Sequence, residues 1–354
     1  MAFFMAIEKV NIERFLELAK GNPVIDVRSP AEFTHAHIPG AYSLPLFTDE
    51  ERKLVGTAYK QQSREEAIKI GLDFFAPKMK QMVEEVEKVI NETQNNSPHL
   101  CIYCWRGGMR SAGVAWLMDL YGFKVYTLIG GYKRFRNRVI DTFRQSYPFK
   151  ILGGYTGSGK TEVIKALEIK GESVIDLEGL ANHKGSAFGN IGMPPQPTQE
   201  MFENTLALKL AEIGRSVSGL WLEDESQRIG QVNIPNDLWR QMRESPLYFL
   251  EIPFEERLQH IVEEYGMLDK GQVIDAITRI KEKLGGLNAR NAIELLEEGN
   301  TGESFRILLT YYDRFYFKSL HNRKNLNSLL YTVECKSVNP ENANNLLHQG
   351  VFNP

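Results

Sequence analysis

The segment Cys104-Trp105-Arg106-Gly107-Gly108-Met109-Arg110-Ser111 has residue types and spacing suited to nucleophilic chemistry on an oxyanion. It follows a short apolar run, Leu100-Cys101-Ile102-Tyr103, that reads as a strand, and it precedes a helical pattern from Ala112 to Tyr121. A cysteine on such a strand-to-helix turn faces a ring of backbone N–H groups and the positive end of a helix dipole. Both favour a sulfur anion, so Cys104 is expected to be the nucleophile. Gly107 and Gly108 let the backbone curl around a tetrahedral anion, and Arg110 is expected to clamp two of its oxygens. Trp105, Arg106, Met109 and Ser111 complete this cradle. Cys101, three residues earlier on the strand, alternates to the opposite face and belongs in the core.

A second constellation is Gly154-Tyr155-Thr156-Gly157-Ser158-Gly159-Lys160-Thr161, which fits G-x-x-x-x-G-K-[ST] in full. An apolar run, Phe149 to Leu152, precedes it and a helical pattern, Glu162 to Glu168, follows. In such a loop the N–H groups of Gly154, Thr156, Gly157, Ser158 and Gly159 wrap a diphosphate. Lys160 neutralises its terminal oxygens and Thr161 can hold Mg2+. ATP or GTP is the default ligand, but any diphosphate presents the same oxygens. A partner for the metal is expected where Leu220-Trp221-Leu222 runs into Glu223, Asp224 and Glu225. Asp224 or Glu223 would then share the Mg2+ shell with Thr161, and Asp176 and Glu178 are second candidates.

The elements that must position these groups alternate strand and helix, which argues for α/β architecture with parallel sheets. Strands are expected at Val24 to Val27, around Cys101, at Lys124 to Leu128, and at Phe149 to Leu152. Further strands are expected at Ser173 to Leu177, Gly219 to Glu223, Leu247 to Ile252 and Leu329 to Val333. Pro30 suits the first turn of a helix. Long helical patterns cover Arg64 to Ile90, Gln199 to Ile213, Gly271 to Leu284 and Ala289 to Glu298, with a polar loop at Asn91 to Pro98. Residues 1–131 form one expected domain, 132–148 a basic helical linker, and 149–354 a second domain with C-terminal helices. The linker holds Lys133, Arg134, Arg136, Arg138 and Arg144, with Tyr132 and Phe135 among them. Such a helix suits RNA: cations on phosphates, rings on unpaired bases. Tyr311 to Tyr316 has helical spacing and reads as packing.

Bulk properties bound the rest. The chain has 354 residues, 42% hydrophobic and 25% charged, as in ordinary globular proteins. Its three cysteines make no disulfide framework, which fits a reducing cytoplasm. Met1 to Ile7 is apolar but too short for a signal peptide, and no run approaches the ~20 apolar residues that span a bilayer. A net charge of −3 gives no global pull on a polyanion, so a nucleic acid would have to meet a local basic surface.

Asp26-Val27-Arg28-Ser29-Pro30-Ala31-Glu32-Phe33, then His37-Ile38-Pro39-Gly40-Ala41, the Cys104 loop and Val125 to Gly131 together resemble a rhodanese domain. Joined to a P-loop domain with Trp-Leu-Glu-Asp-Glu-Ser at residues 221–226, and to Glu51 to Lys60, the chain resembles the tRNA 2-selenouridine synthase family. The resemblance implies an N-terminal rhodanese-like domain, a C-terminal P-loop NTPase-like domain, and chemistry at the wobble uridine, U34, in the anticodon loop of tRNA. It implies that 2-thiouridine is S-geranylated from geranyl diphosphate, and that selenium from selenophosphate then replaces the geranylthio group. The family's selenium-carrying cysteine falls on Cys104. On this reading Lys160 and Thr161 grip the diphosphate of geranyl diphosphate, with ATP not excluded. Two other activities fit the motifs. Cys104-x-x-Gly107-x-x-Arg110-Ser111 also satisfies the loop of cysteine-dependent phosphatases, with Tyr103 where those enzymes usually carry His. A P-loop working on ATP would instead make an ATP-dependent tRNA sulfurtransferase.

Overall fold

The computed structural model describes residues 7–92, 98–214, 217–266 and 268–350. The apolar segment 1–6 and residues 93–97 of the expected polar loop lie outside the described residues. The chain divides into two compact units, 1–142 and 143–354.

The first unit is built on a parallel sheet of five strands: β1 (Ile7–Val10), β2 (Val24–Asp26), β3 (Tyr42–Ser43), β4 (His99–Tyr103) and β5 (Lys124–Leu128). Their order across the sheet is β1-β5-β4-β2-β3. β2, β4 and β5 are buried along almost their whole length, so they read as largely apolar runs, with Asp26 the buried charge at the end of β2. Only Val10 of β1 is buried, and that pattern does not announce a strand; pairing with β5 supplies what composition does not. Pro30 opens the helix Pro30–His35, as its fixed φ favours. The single helix expected from Arg64 to Ile90 is instead two, Arg64–Phe75 and Met79–Glu92, separated by a 3-10 turn at Ala76–Lys78. Pro77 stands in that turn, has no N–H to continue the ladder, and breaks it.

The segment expected as a linker is the helix Gly131–Phe143, and the first unit contains it through Thr142. Tyr132, Phe135 and Val139 are buried there, with the Tyr132 ring 6.2 Å from that of Tyr103 and 5.9 Å from that of Phe135. Burial of one stripe makes this helix part of the unit's core rather than a connector.

The second unit holds another parallel sheet of five strands, ordered β12-β11-β6-β8-β7. These are β6 (Phe149–Gly154), β7 (Ser173–Ile175), β8 (Leu220–Glu223), β11 (Leu247–Glu251) and β12 (Leu330–Glu334). A small antiparallel pair, β9 (Arg228–Ile229) with β10 (Val232–Asn233), stands apart from it. β6 lies between β8 and β11, so the ends of these strands place the P-loop and the acidic turn side by side. The pattern at Gly271 to Leu284 resolves into two helices, Lys270–Arg279 and Lys281–Leu284. With Gly286–Glu297 and the 21-residue helix Thr301–His321 they form a helical layer with its own apolar cluster around Phe305, Leu308 and Ile277.

Candidate functional site

The first site lies at the C-terminal end of β4. Cys104 is 3% exposed, and its Sγ lies 3.2 Å from the Ser111 hydroxyl, which also donates to the Gly108 carbonyl at 3.1 Å. Gly107 has φ +66°, and a Cβ there would meet the Leu128 carbonyl at 2.4 Å. The backbone must therefore turn tightly where it passes the end of β5. The helix Met109–Tyr121 starts directly after Gly108. Among the described residues, the backbone N–H groups of 105–111 donate to no other backbone carbonyl, while the Cys104 and Trp105 carbonyls accept from Tyr132 and Lys133. The result is a nest of free donors at a helix N-terminus beside one sulfur, suited to a phosphate-sized anion.

Arg110 stands at the edge of this nest, tied to Glu32 at 2.7 and 3.4 Å. Burial by itself would raise the Glu32 carboxyl, but the hydrogen bond and charge of Arg110 outweigh it and hold the group below the ordinary carboxylate range. Below the loop, Arg28 and Asp26 form a buried ion pair at 2.6 Å, and the Arg28 guanidinium lies 3.9 Å from the centre of the Tyr132 ring. Tyr103 is wholly buried and accepts from the Ile38 N–H at 3.1 Å, so it faces the β2 side of the unit. Cys101 is fully buried, and burial pushes its thiol up to about 12. It is a core residue.

The second site lies at the end of β6. Gly157 and Gly159 have φ +78° and +69°, and Lys160 opens the helix Lys160–Ile169. The Lys160 ammonium folds back to the Gly154 carbonyl at 3.2 Å, and Ser158 is buried with no partner for its hydroxyl. Arg257, 3% exposed, donates to the Thr156 carbonyl at 3.0 Å and is fixed by Asp313 at 2.8 and 2.9 Å. The Tyr316 hydroxyl accepts from the Gly154 N–H at 3.3 Å and donates to Asp224 at 2.7 Å. Nothing in the motif itself announces Arg257 or Tyr316; each lies about 100 or more residues away in sequence and meets the loop only through the fold.

The acidic residues sort differently from expectation. Asp224, expected with Thr161 in a Mg2+ shell, is held by Tyr316 and by Arg323 at 2.8 Å. Glu223 is fully buried; one carboxylate oxygen accepts from the Leu177 N–H at 3.0 Å, and burial raises its carboxyl well above the ordinary range. The group beside Thr161 is Glu178, whose carboxylate accepts from the Thr161 hydroxyl at 3.2 Å. Glu178 and Glu225 lie against each other near Lys160, and burial raises both carboxyls. Asp176 caps the helix Leu177–Ala181. Among the described residues no group of three or more His, Cys, Asp or Glu side chains is arranged for a metal. A hydroxyl and a carboxylate still fit a hard cation that takes its remaining oxygens from a diphosphate and water.

Residues 147–339 match the tRNA 2-selenouridine synthase AAA domain, and residues 12–138 match the rhodanese-like domain. A tRNA 2-selenouridine synthase of Bdellovibrio bacteriovorus is 33% identical, covering 90% of this chain and 94% of its own. That of Cupriavidus pinatubonensis is 35% identical over 84% of this chain and 88% of its own. That of Sulfurovum sp. is 34% identical over 89% and 93%. The chain belongs to the tRNA 2-selenouridine synthase family. Its two α/β units are the rhodanese and P-loop domains of that family.

In this member of the tRNA 2-selenouridine synthase family, the basic helix Gly131–Phe143 starts at the cysteine loop itself, since the Tyr132 and Lys133 N–H groups bond to the Cys104 and Trp105 carbonyls at 2.8 and 3.0 Å. Lys133 and Arg134 are exposed, and Arg136 and Arg138 half-exposed. Arg144 lies in the second unit, 3.8 Å from Asp237. Tyr132 and Phe135, expected to stack on an unpaired base, are fully buried and serve the core instead. The exposed ring is Trp105, 38% exposed and seated 5.7 Å from the Tyr132 ring. Tyr312 and Tyr316 pack as their helical spacing suggests, with their hydroxyls bonded to the Ala187 and Gly154 N–H groups. No helix among the described residues is long and apolar enough to cross a membrane.

Proposed function

We propose that this protein is a transferase that converts 2-thiouridine at the wobble position, U34, of tRNA into 2-selenouridine, working in the cytoplasm. The P-loop binds the diphosphate of geranyl diphosphate, and the sulfur of 2-thiouridine takes the geranyl group. Selenium from selenophosphate then replaces the geranylthio group, through Cys104. Alkylation turns a poor leaving group into a good one: a geranylthiolate departs from a cationic, thiouronium-like carbon far more readily than sulfide departs from a neutral thiocarbonyl. The observation that carries this reading is a cysteine followed directly by a loop whose N–H groups have no backbone acceptor, in one chain with an intact diphosphate loop.

Thr161 and Glu178 would hold Mg2+ on the diphosphate, where the ion would neutralise the charge of the leaving group. Lys160 neutralises the same oxygens, and Arg257 and Tyr316 keep the loop in shape. Lys133, Arg134 and Arg138 hold RNA phosphates beside the cysteine loop, and Trp105 offers its face to an unpaired base. Nucleoside analysis of tRNA from cells with and without this protein tests the reading. Loss of 2-selenouridine and of its geranylated precursor is expected. Unchanged nucleosides, or a Cys104→Ser protein that still restores 2-selenouridine, would overturn it.

A further inference from the structure

We propose that the covalent partner of Cys104 is phosphorus: the thiolate accepts the phosphoryl group of a selenium–phosphorus bond and becomes S-phosphocysteine, freeing selenium as a selenolate. This rests on the reading that selenophosphate is handled at Cys104.

Electron counting decides which atom the sulfur meets. A thiolate and the selenium of selenophosphate are both fully reduced, so joining them as a perselenide removes two electrons from the pair. Displacement at selenium would leave those electrons on phosphorus, and phosphite rather than phosphate would depart. Attack at phosphorus needs no acceptor. The sulfur–phosphorus bond forms, the phosphorus–selenium bond breaks, and its electron pair leaves with selenium. Water then attacks phosphorus, the sulfur–phosphorus bond breaks with its electrons returning to Cys104, and phosphate departs. Selenophosphate carries one proton near neutral pH, and that proton leaves with selenium as the hydrogen selenide anion, HSe−, so the first step balances without a further proton donor.

The site carries the parts that this chemistry uses. The N–H groups of residues 105–111 have no backbone acceptor and lead into the start of the helix Met109–Tyr121, so they are available to three phosphoryl oxygens with phosphorus over Sγ. Arg110 comes six residues after Cys104, and Glu32 takes two of its five N–H donors, fixing the guanidinium at the rim. The Ser111 hydroxyl has a single proton and two acceptors in reach, the Gly108 carbonyl at 3.1 Å and Sγ at 3.2 Å. Given to sulfur, that proton stabilises the thiolate as it leaves phosphorus in the second step. Ser111 is thus a positioning residue for hydrolysis of the phosphocysteine, and its removal should make the adduct accumulate.

The experiment uses the full chain with selenophosphate and a short anticodon-loop RNA carrying S-geranyl-2-thiouridine. In Ser111→Ala, an adduct at Cys104 is expected whose 31P signal is that of a thiophosphate ester, and whose lifetime exceeds the wild-type value by about a hundredfold or more, the share usual for one group in a proton-transfer role. A phosphoryl group and a selenium atom weigh nearly the same, so the mass spectrum is read by isotope envelope: phosphorus has one isotope and selenium several. A selenium envelope on Cys104, or continued selenation by Ser111→Ala with no phosphorus on Cys104 at any time after mixing, would overturn the inference and leave the proposed function standing. Selenation that persists in Cys104→Ser would instead overturn the function on which it rests.

Discussion

At the residue scale, the two cysteines of one strand show how position decides chemistry. Cys101 points into the core, where burial lifts its thiol to about 12, while Cys104 closes the strand at a nest of N–H donors. An alkylating reagent at neutral pH is therefore expected to label Cys104 and spare Cys101 in the folded protein, with peptide mapping as the check; labelling of both at equal rates would contradict the fold. Glu32 is a second residue whose role its sequence context hides. Its carboxyl is depressed in the folded protein, so it stabilises the fold above its unfolded titration range, and that contribution is lost as pH falls through the folded, lower value. Glu32→Gln should therefore lose stability at neutral pH and less at low pH, flattening the acid limb of urea-unfolding midpoints. An unaltered acid limb would show that Arg110 is held by something else.

At the element scale, each site depends on a backbone passing another without a side chain between them. A Cβ on Gly131, at φ +58°, would lie 2.2 Å from the Cys104 carbonyl, and one on Gly157, at φ +78°, 3.0 Å from the Arg257 carbonyl. Gly131→Ala should therefore displace the cysteine loop and lower anion binding there, by phosphate titration, while leaving binding at the P-loop intact. The helix Gly131–Phe143 is also held by the pair of Asp26 and Arg28 beneath it, where Arg28 supports the ring of Tyr132. Removing one partner of a buried ion pair costs about 3–5 kcal/mol because it strands a charge. Asp26→Ala is expected to cost about that much in denaturant unfolding of the first unit; a loss below about 1 kcal/mol would mean that the pair is solvated.

At the scale of the whole molecule, the proposed function puts two chemistries in one chain, and each should then fail separately. Lys160→Ala is expected to abolish geranylation of 2-thiouridine RNA yet still selenate RNA supplied already geranylated. Cys104→Ser should do the reverse, and product analysis by nucleoside mass spectrometry reads both. If Lys160→Ala geranylated normally, the diphosphate assignment of the P-loop would fall. Affinity for tRNA should drop steeply with salt because the chain's net charge of −3 leaves the attraction to a local surface. Neutralising Lys133 and Arg134 should reduce the slope of log affinity against log salt by about 0.7 for each RNA phosphate that the protein then leaves unneutralised. An unchanged slope would make that helix purely structural.

Motif spacing was enough to locate both loops, the strands that carry them and the α/β class, because a turn at a strand end with glycines at fixed offsets has few ways to fold. Family resemblance was legible for the same reason: the loops are contiguous stretches of chain. What spacing could not supply was which distant residues complete each loop. Only packing shows that Glu32 holds Arg110, that Arg257 and Tyr316 brace the P-loop, and that Glu178 rather than Asp224 meets Thr161. Only packing shows, too, that Tyr132 and Phe135 are core while Trp105 is left in solvent. A local pattern constrains backbone conformation within a turn or two; which side chains meet across a sheet depends on strand order, and strand order is a property of the folded chain.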